Sequence, residues 1–220
     1  MRKFNLFLKR TFDIVVSLTA LIILTVIPVM IVVPLVIKLT SKGPAMYNQI
    51  RIGKDQKPFK MYKFRTMIQE QYDADGNEIM SEDRITKVGR ILRKTSLDEL
   101  PQLFNILNGT MSVIGPRPML DYQAPRCIGE EVLRFDMRPG LTGLAQVKGR
   151  NNIIWEDRIQ YDIEYVKTFT FWQDIVILIK TVLLVFKKSG TDVMPEYRGI
   201  SRFSKHYVPE NELPTEEAVK

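Results

Sequence analysis

One cysteine, Cys127, and one histidine, His206, are all that this 220-residue chain holds of the side chains that most often carry nucleophilic, acid–base and zinc chemistry. A single thiol excludes any disulfide within the chain. One of each residue is also too few for a Cys/His zinc site, which takes four ligands. A Ser-His-Asp triad would have to recruit His206 from a polar C-terminal stretch, and no nucleophile elbow occurs elsewhere. Bond-making chemistry therefore falls to carboxylates, with lysine and arginine as electrostatic help. The thiol count also agrees with a cytoplasmic setting for the globular part.

A block of one charge sign is missing too. Lys+Arg number 32 and Asp+Glu 25, for a net charge of +7, but the cations are interleaved with acids. The excess suits anionic partners such as lipid headgroups or nucleotides. The interleaving argues against nucleic acid as a partner, as does the lack of zinc-finger spacing, an RNP-like aromatic motif or a basic zipper. There is no internal repeat. Asp73-Ala74-Asp75-Gly76-Asn77 departs from calcium-loop spacing after Gly76.

What is present is a long apolar run. Ile14 to Ile37 carries no charge. As a straight helix it would reach about 36 Å, enough to span a bilayer core. Two features favour a bend instead. Pro28 lies near the middle, with Pro34 after it, and a proline removes a donor and clashes with the carbonyl four residues back, here that of Leu24. Basic residues flank both ends, Arg2, Lys3, Lys9 and Arg10 before and Lys38, Lys42, Arg51 and Lys54 after. The positive-inside rule keeps both ends cytoplasmic. A re-entrant helix-break-helix satisfies both observations, with a single spanning helix as the alternative. No small-x-small cleavage site follows the run, which argues against a secretory signal.

Beyond Ser41-Lys42-Gly43-Pro44, Met46 to Ile52 and Phe59 to Met67 read as a small β-hairpin around the turn from Gly53 to Pro58. Tyr72 to Asp83 reads as a polar surface loop, and Ile85 to Leu92 as a basic amphipathic helix. Ser96-x-x-Glu99 fits a capping box opening the next helix. Leu97, Leu100, Leu103, Phe104 and Leu107 form its apolar stripe, Asp98, Gln102 and Asn105 share the opposite face, and Asn108-Gly109 ends it. Three Pro/Gly-rich turns follow, at 115–118, 138–143 and 148–151, each presenting an arginine on a stiff loop. Glu156 to Val166 and Phe171 to Lys187 read as helices. The second has Phe169, Phe171 and Trp172 at one end and lysines at the other, which suits the membrane interface, although a core-packing role fits equally. Residues 201–220 form a polar tail.

Asp98-Glu99 is the best candidate for chemistry. Carboxylates at a helix start feel the positive end of the dipole and nearby amides, which favour ionisation. An ionised Asp can attack phosphorus, and its neighbour can hold Mg²⁺, which wants hard oxygen ligands and bridges to phosphates. Arg90, Arg93 and Lys94 nearby, and Arg117, Arg138 and Arg150 on the loops, are candidates to neutralise phosphoryl oxygens. An acidic pair in a first turn also serves plain capping, and that reading stays open.

Four segments carry a resemblance: Lys63-Phe64-Arg65-Thr66-Met67, Thr95-Ser96-Leu97-Asp98-Glu99-Leu100-Pro101-Gln102, Met111-Ser112-Val113-Ile114-Gly115-Pro116-Arg117-Pro118 and Arg138-Pro139-Gly140-Leu141-Thr142-Gly143. In this order they resemble the bacterial sugar transferase family, in its small monotopic, PglC-like phosphoglycosyl transferase form. The resemblance runs from about Lys9 to Gly190, and the length resembles that of the minimal catalytic unit.

The resemblance implies transfer of a sugar-1-phosphate from a UDP-sugar to undecaprenyl phosphate with release of UMP, by a ping-pong route through an aspartyl phosphosugar intermediate. Asp98 would be the nucleophile and Glu99 the Mg²⁺ ligand beside it. Lys63, Arg93, Arg117, Arg150 and Asp174 match substrate-site positions. The implied fold is α+β and mostly α-helical. Residues 1–40 form a re-entrant anchor broken at Pro28, 41–200 a catalytic domain with amphipathic interfacial helices and a small β-hairpin, and 201–220 a tail. The setting is one leaflet of the bacterial inner membrane, cytoplasmic face, among inner-membrane lipids, and a homo-oligomer is compatible with it. Where the family often breaks at Ser-Pro, this chain has Ile27-Pro28, with Thr25 placed to bond a preceding carbonyl in the serine's stead. A non-catalytic scaffold holding anionic lipid is the alternative. It would be indifferent to Asp98 and Glu99 but sensitive to charge reversal at Arg10, Lys38 or Lys187.

Overall fold

A proline divides the N-terminal helices, as its chemistry requires. In the computed structural model, which describes residues 2–26, 28–69, 72, 83–149 and 153–186, α1 (Arg2–Val26) stops before Pro28 and α2 (Val29–Thr40) starts after it. The two axes are bent by 61°. The Pro28 carbonyl accepts from the amides of Ile31 and Val32, which opens the new helix. Thr25 Oγ1 donates to the Leu21 carbonyl at 2.7 Å, the back-bond expected in place of a serine's. Pro34 sits inside α2 without ending it. Among the described residues no single helix is long and apolar enough to cross a membrane, whereas the bent pair taken together has the length and composition of a broken span or a re-entrant loop.

The outer face of α1 is apolar and its inner face polar, the reverse of a water-soluble helix. Lys9, Asp13, Ser17 and Leu21 are its buried positions, spaced four apart on one face, while Phe4, Phe7, Val15, Leu18, Ile22 and Ile23 are exposed.

The chain divides into two compact units drawn from interleaved segments, 1–11, 50–59 and 109–220 for the first and 12–49 and 60–108 for the second. β1 (Met46–Ile52) and β2 (Pro58–Phe64) pair in a two-stranded sheet whose residues 46–49 and 60–64 belong to the second unit and 50–59 to the first. Their short connection allows only an antiparallel hairpin. The expected hairpin is present, with β2 ending three residues short of Met67. The core of the second unit joins Ile37 of α2, Ala45, Phe64 and Leu92, with Met30, Val33, Val88, Leu97 and Leu100 packed around them. Leu92 belongs to α3 (Lys87–Thr95), two to three residues later than the sequence suggests, because Thr86 is the cap and accepts from the Gly89 amide at 2.8 Å. A Cβ on Gly89 would strike the Thr66 carbonyl, so this glycine sets how closely α3 lies on the strand that leads out of β2. Arg65, buried, donates to Ser41 O at 2.9 Å and Ser41 Oγ at 2.8 Å and also to Lys42 O, holding the end of α2.

In the first unit, β3 (Ser112–Ile114) and β4 (Gly140–Thr142) pair in parallel, with Ser112 opposite Gly140 and Ile114 opposite Thr142. The expected turn at 138–143 is thus partly a strand. Its three residues are too few for an alternating pattern, and glycine rather than side-chain periodicity makes it. A Cβ on Gly140 would meet the Gly115 amide, and one on Gly143 the Gly115 carbonyl. The expected turn at 148–151 begins inside a helix, α5 (Leu144–Gly149). Helices α6 (Trp155–Thr168) and α7 (Phe171–Phe186) match expectation closely. Trp155, Ile159 and Ile163 of α6 form a core with Met119, Ala124, Cys127 and Phe135. Phe169 does not stand at an exposed aromatic end; it is buried, edge-on to Tyr165 at 5.9 Å, and only Trp172 projects, 73% exposed. The expected loop after Tyr72, Arg150 and the tail after Ser201 lie outside the described residues.

One buried network ties this unit together. Lys9 Nζ donates to Asp174 Oδ2 at 2.7 Å and to the Ile114 carbonyl at 2.6 Å, and Tyr165 Oη donates to Asp174 Oδ1 at 2.7 Å. Asp174 is 0% exposed. Removing one partner strands a buried charge at a cost of about 3–5 kcal/mol, whereas replacing both with apolar groups is far cheaper. Lys9→Met is therefore expected to lower stability by roughly that amount in detergent-based denaturation, and Lys9→Met/Asp174→Leu to recover a large part of it. A double variant no more stable than Lys9→Met would contradict this account.

Candidate active site

The acidic pair does not open a helix through a capping box. Ser96 has φ 57° and ψ 18°, a left-handed conformation, and its backbone amide closes α3 onto the carbonyls of Leu92 and Arg93. An N-cap residue needs extended backbone angles, so one residue cannot both end α3 this way and cap the next helix. Leu97–Glu99 form a 3₁₀ turn, and α4 (Gln102–Leu107) follows Pro101. The Glu99 side chain reaches Lys63 instead of the Ser96 amide, with Nζ donating to Oε1 at 2.7 Å.

Burial in this segment extends from the apolar stripe, where Leu103 is buried and Leu97 and Leu100 pack on the core, to its polar face. Asp98, Gln102 and Asn105, expected on the outer face, are buried, and Phe104 of the apolar stripe is exposed. Asn105 explains why the polar face is buried. Its Oδ1 accepts from the Tyr62 amide at 3.0 Å and its Nδ2 donates to the Lys60 carbonyl at 2.8 Å, so a side-chain amide takes the place of a strand neighbour along β2. Deleting it would leave two backbone groups unpaired, at about 1–3 kcal/mol. The same two bonds fix the register of Lys63, one residue beyond Tyr62, against Glu99.

Four sequence-predicted residues thus meet in the second unit: Asp98, Glu99, Lys63 and Arg93. Burial raises the Asp98 pKa above its ordinary 3.8, Lys63 opposes this, Glu99 adds to it and Arg93 opposes it. Arg93 is held by its Nε bond to Thr66 Oγ1 at 2.9 Å. Lys63 and Glu99 are half-buried, open to a ligand. The arrangement is a carboxylate short of water, flanked by a second carboxylate and two cations. It suits attack on a phosphate whose charge the cations offset.

Asp98 and Glu99 also fit Mg²⁺, which takes one or two carboxylates from a protein and completes its shell with water and phosphate oxygens. No cluster of three or more His, Cys, Asp or Glu side chains gathers among the described residues, so a bound ion here would depend on substrate oxygens.

The other predicted residues lie in the first unit. Arg117 follows Pro116 and is exposed, and Asp174 is sealed in the network with Lys9 and Tyr165. Arg138 is half-buried, its Nε donating to the Gly109 carbonyl at 2.7 Å. Sequence reasoning missed Lys9, Thr66 and Asn105 as working parts of these arrangements. Asn105 carried one readable signal, a polar side chain sharing a helical face with Asp98.

Comparison with known proteins bears on the chain as a whole. The family model described as bacterial sugar transferase matches residues 4–188. The undecaprenyl-phosphate galactose phosphotransferase of Salmonella typhimurium is 42% identical over 206 residues, covering 84% of this chain and 41% of that protein. The sugar transferase EpsL of Bacillus subtilis is 42% identical over 83% of this chain and 89% of its own length. The UDP-glucose:undecaprenyl-phosphate glucose-1-phosphate transferase of Escherichia coli is 41% identical over 83% of this chain and 41% of its own length. The chain therefore spans about two fifths of the first and third of these relatives and most of the second.

The raised pKa of Asp98 has a consequence for stability. The folded chain holds this proton more tightly than the unfolded chain, so stability falls as pH rises from 3.8 through the raised folded value. Asp98→Asn keeps the position neutral. With divalent metal chelated, it is expected to unfold at a higher temperature than wild type at pH 7, the gap closing below pH 4. Equal melting temperatures at pH 7 would show that the buried carboxylate is fully compensated.

Proposed function

The chain belongs to the bacterial sugar transferase family, and from that premise we propose that it moves a sugar-1-phosphate from a UDP-sugar to undecaprenyl phosphate and releases UMP. The names of the Salmonella and Escherichia relatives support the substrate classes. The observation that carries the reading is the buried Asp98 carboxylate with Glu99, Lys63 and Arg93 around it.

In the first half-reaction an Asp98 carboxylate oxygen attacks the phosphorus bearing the sugar. The bond from that phosphorus to the bridging oxygen breaks, UMP leaves with the electron pair, and a phosphosugar is left esterified to Asp98. In the second, a phosphate oxygen of undecaprenyl phosphate attacks the same phosphorus and the Asp98 carboxylate departs unchanged. The product is a polyprenyl diphosphate-linked sugar, the first membrane intermediate of glycoconjugate assembly. Burial makes Asp98 costly to hold ionised and therefore reactive when it is, while Lys63 and Arg93 offset charge on the phosphoryl oxygens. Glu99 and Asp98 would hold Mg²⁺, which when bound neutralises the diphosphate. Arg117 and Arg150 bind substrate phosphate by their match to the family motifs.

The membrane setting is part of the proposal. The outward faces of α1 and α2 present Phe7, Val15, Ile22, Ile31, Leu35 and Leu39, and the 61° bend and basic flanks suit a hairpin that enters one leaflet and returns to the cytoplasmic face. Trp172, Ile179 and Leu183, exposed on α7, suit the interface. The scaffold alternative lacks any need for a buried carboxylate at Asp98.

With a panel of UDP-sugars and undecaprenyl phosphate, Asp98→Asn is expected to lower UMP release at least about a thousandfold and to leave no phosphosugar adduct detectable by mass spectrometry. Chelation of Mg²⁺ is expected to stop the wild type reversibly. An active Asp98→Asn enzyme would remove Asp98 as the nucleophile. For the topology, cysteines placed at Lys3 and Lys42 are expected to be shielded from an impermeant thiol reagent in intact cells and to react after lysis. Labelling of one from outside would replace the hairpin with a spanning helix.

A further inference from the structure

The stretch Lys63-Phe64-Arg65-Thr66-Met67 holds three polar side chains. Lys63 meets Glu99 and Arg65 holds the end of α2, which leaves Thr66 without a part in the transfer. Thr66, 7% exposed, lies just past β2, and α3 rests on it along its whole length. The Thr66 main-chain carbonyl accepts from the Thr86 amide at 3.0 Å, which places the N-cap of α3. A Cβ on Gly89 would strike the same carbonyl, so the first turn of α3 lies directly against it. At the last turn, the Thr66 hydroxyl accepts from Arg93 Nε at 2.9 Å.

The two main-chain contacts dock the helix. The hydroxyl bond is of another kind. Arg93 is exposed, and water serves an exposed guanidinium well, so this bond adds little to stability. What it supplies is orientation. A free arginine side chain samples many rotamers, and a bond at Nε fixes the guanidinium plane while leaving both Nη nitrogens to act as a fork. Among the described residues neither Nη of Arg93 donates to the protein. Two backbone bonds lead from Arg93 into the acidic pair. The Arg93 carbonyl accepts from the Ser96 amide at 3.2 Å, and the Ser96 carbonyl from the Glu99 amide at 3.3 Å. Arg93 is accordingly among the charges that act on the Asp98 carboxyl.

We propose that Thr66 is a positioning residue for the transfer: its hydroxyl holds the Arg93 guanidinium by Nε so that the Nη fork meets the phosphoryl oxygens under attack at Asp98. The role rests on the transfer proposed above. Arg93 touches the substrate, and Thr66 acts only through Arg93. Valine at this position keeps the branched shape and the main-chain contacts to α3 and removes the orienting bond, whereas serine keeps the bond.

The test uses the full chain in detergent, as wild type, Thr66→Val and Thr66→Ser, with both substitutions repeated in an Arg93→Lys background, because lysine has neither Nε nor the planar fork. Melting temperature, steady-state kinetics and calorimetric titration of inorganic pyrophosphate, with divalent metal chelated in the titration, are read on each. Thr66→Val is expected to lower kcat/KM for the UDP-sugar roughly tenfold and to weaken pyrophosphate binding several-fold at an unchanged melting temperature, while Thr66→Ser stays close to wild type in both. With Arg93→Lys in place, Thr66→Val is expected to cost nothing further. Wild-type kcat/KM in Thr66→Val overturns the proposal. So does an undiminished loss in the Arg93→Lys background, which would give the hydroxyl a role apart from Arg93. Should Thr66→Val fail to fold, Thr66→Ala is read in its place, with the same loss expected and full kcat/KM overturning the proposal. A chain inactive with every UDP-sugar whose pyrophosphate affinity depends on the Thr66 hydroxyl overturns the transfer and keeps the positioning of Arg93. An active chain indifferent to Thr66 in turnover and affinity does the reverse.

Discussion

A carboxylate sealed away from water must be answered inside the protein, and Asp174 is answered by Lys9. This ion pair is the constraint on which the N-terminal helix depends. Lys9 is one residue of α1, yet it fixes the rotation of the whole helix, because positions four apart share a face. With Lys9 turned onto Asp174 and the Ile114 carbonyl, Asp13, Ser17 and Leu21 turn inward as well, and Phe7, Val15, Leu18 and Ile22 turn outward. Hydrophobic burial alone would rotate such a helix the other way in water. An electrostatic anchor near its start is thus combined with an apolar outer face.

The second unit uses the same material for a different end. Lys63 meets Glu99 at 2.7 Å and so is only partly available to Asp98, which stays at a raised pKa. The unit that holds this carboxylate is rigidly built. Asn105 stitches α4 to β2 and Gly89 lets α3 close on the chain after β2. Arg65 ties α2 to the same region. A stable frame around one poorly compensated charge is the pattern of a site in which stability is given up for reactivity.

How much of this was legible in the sequence differs residue by residue. Pro28 could be read because proline's effect on a helix is local and covalent, and Thr25 because back-bonding is local too. The hairpin, α6 and α7 could be read from β-branched content and periodicity. The β3–β4 pair could not. Its strands are three residues long and joined in parallel through a long crossover, and the glycines that permit it act through backbone contacts with no sequence period. The capping box at Ser96 failed because the same residue was wanted by two helices, and the left-handed closure of α3 won. The stripe of α4 holds at Leu97, Leu100 and Leu103 and fails at Phe104, and its polar face is buried because Asn105 bonds to β2, a tertiary demand that amphipathic pattern does not show. Lys63, Asp98 and Glu99 were legible as a set only through motif resemblance, since Lys63 and Glu99 are far apart in the chain and nothing local couples them.

Three of the buried aspartates, Asp174, Asp98 and Asp162, differ in how their charge is balanced. Asp174 is matched by Lys9 on one oxygen and the Tyr165 hydroxyl on the other, a closed arrangement that asks for nothing more from outside. Asp98 has its nearest lysine shared with Glu99, and burial leaves its carboxyl with a raised pKa. Asp162 is matched by Arg134, a buried pair between the 3₁₀ turn Gly129–Asp136 and α6. A balanced buried charge is architecture, and an unbalanced one states the sign of what is to bind.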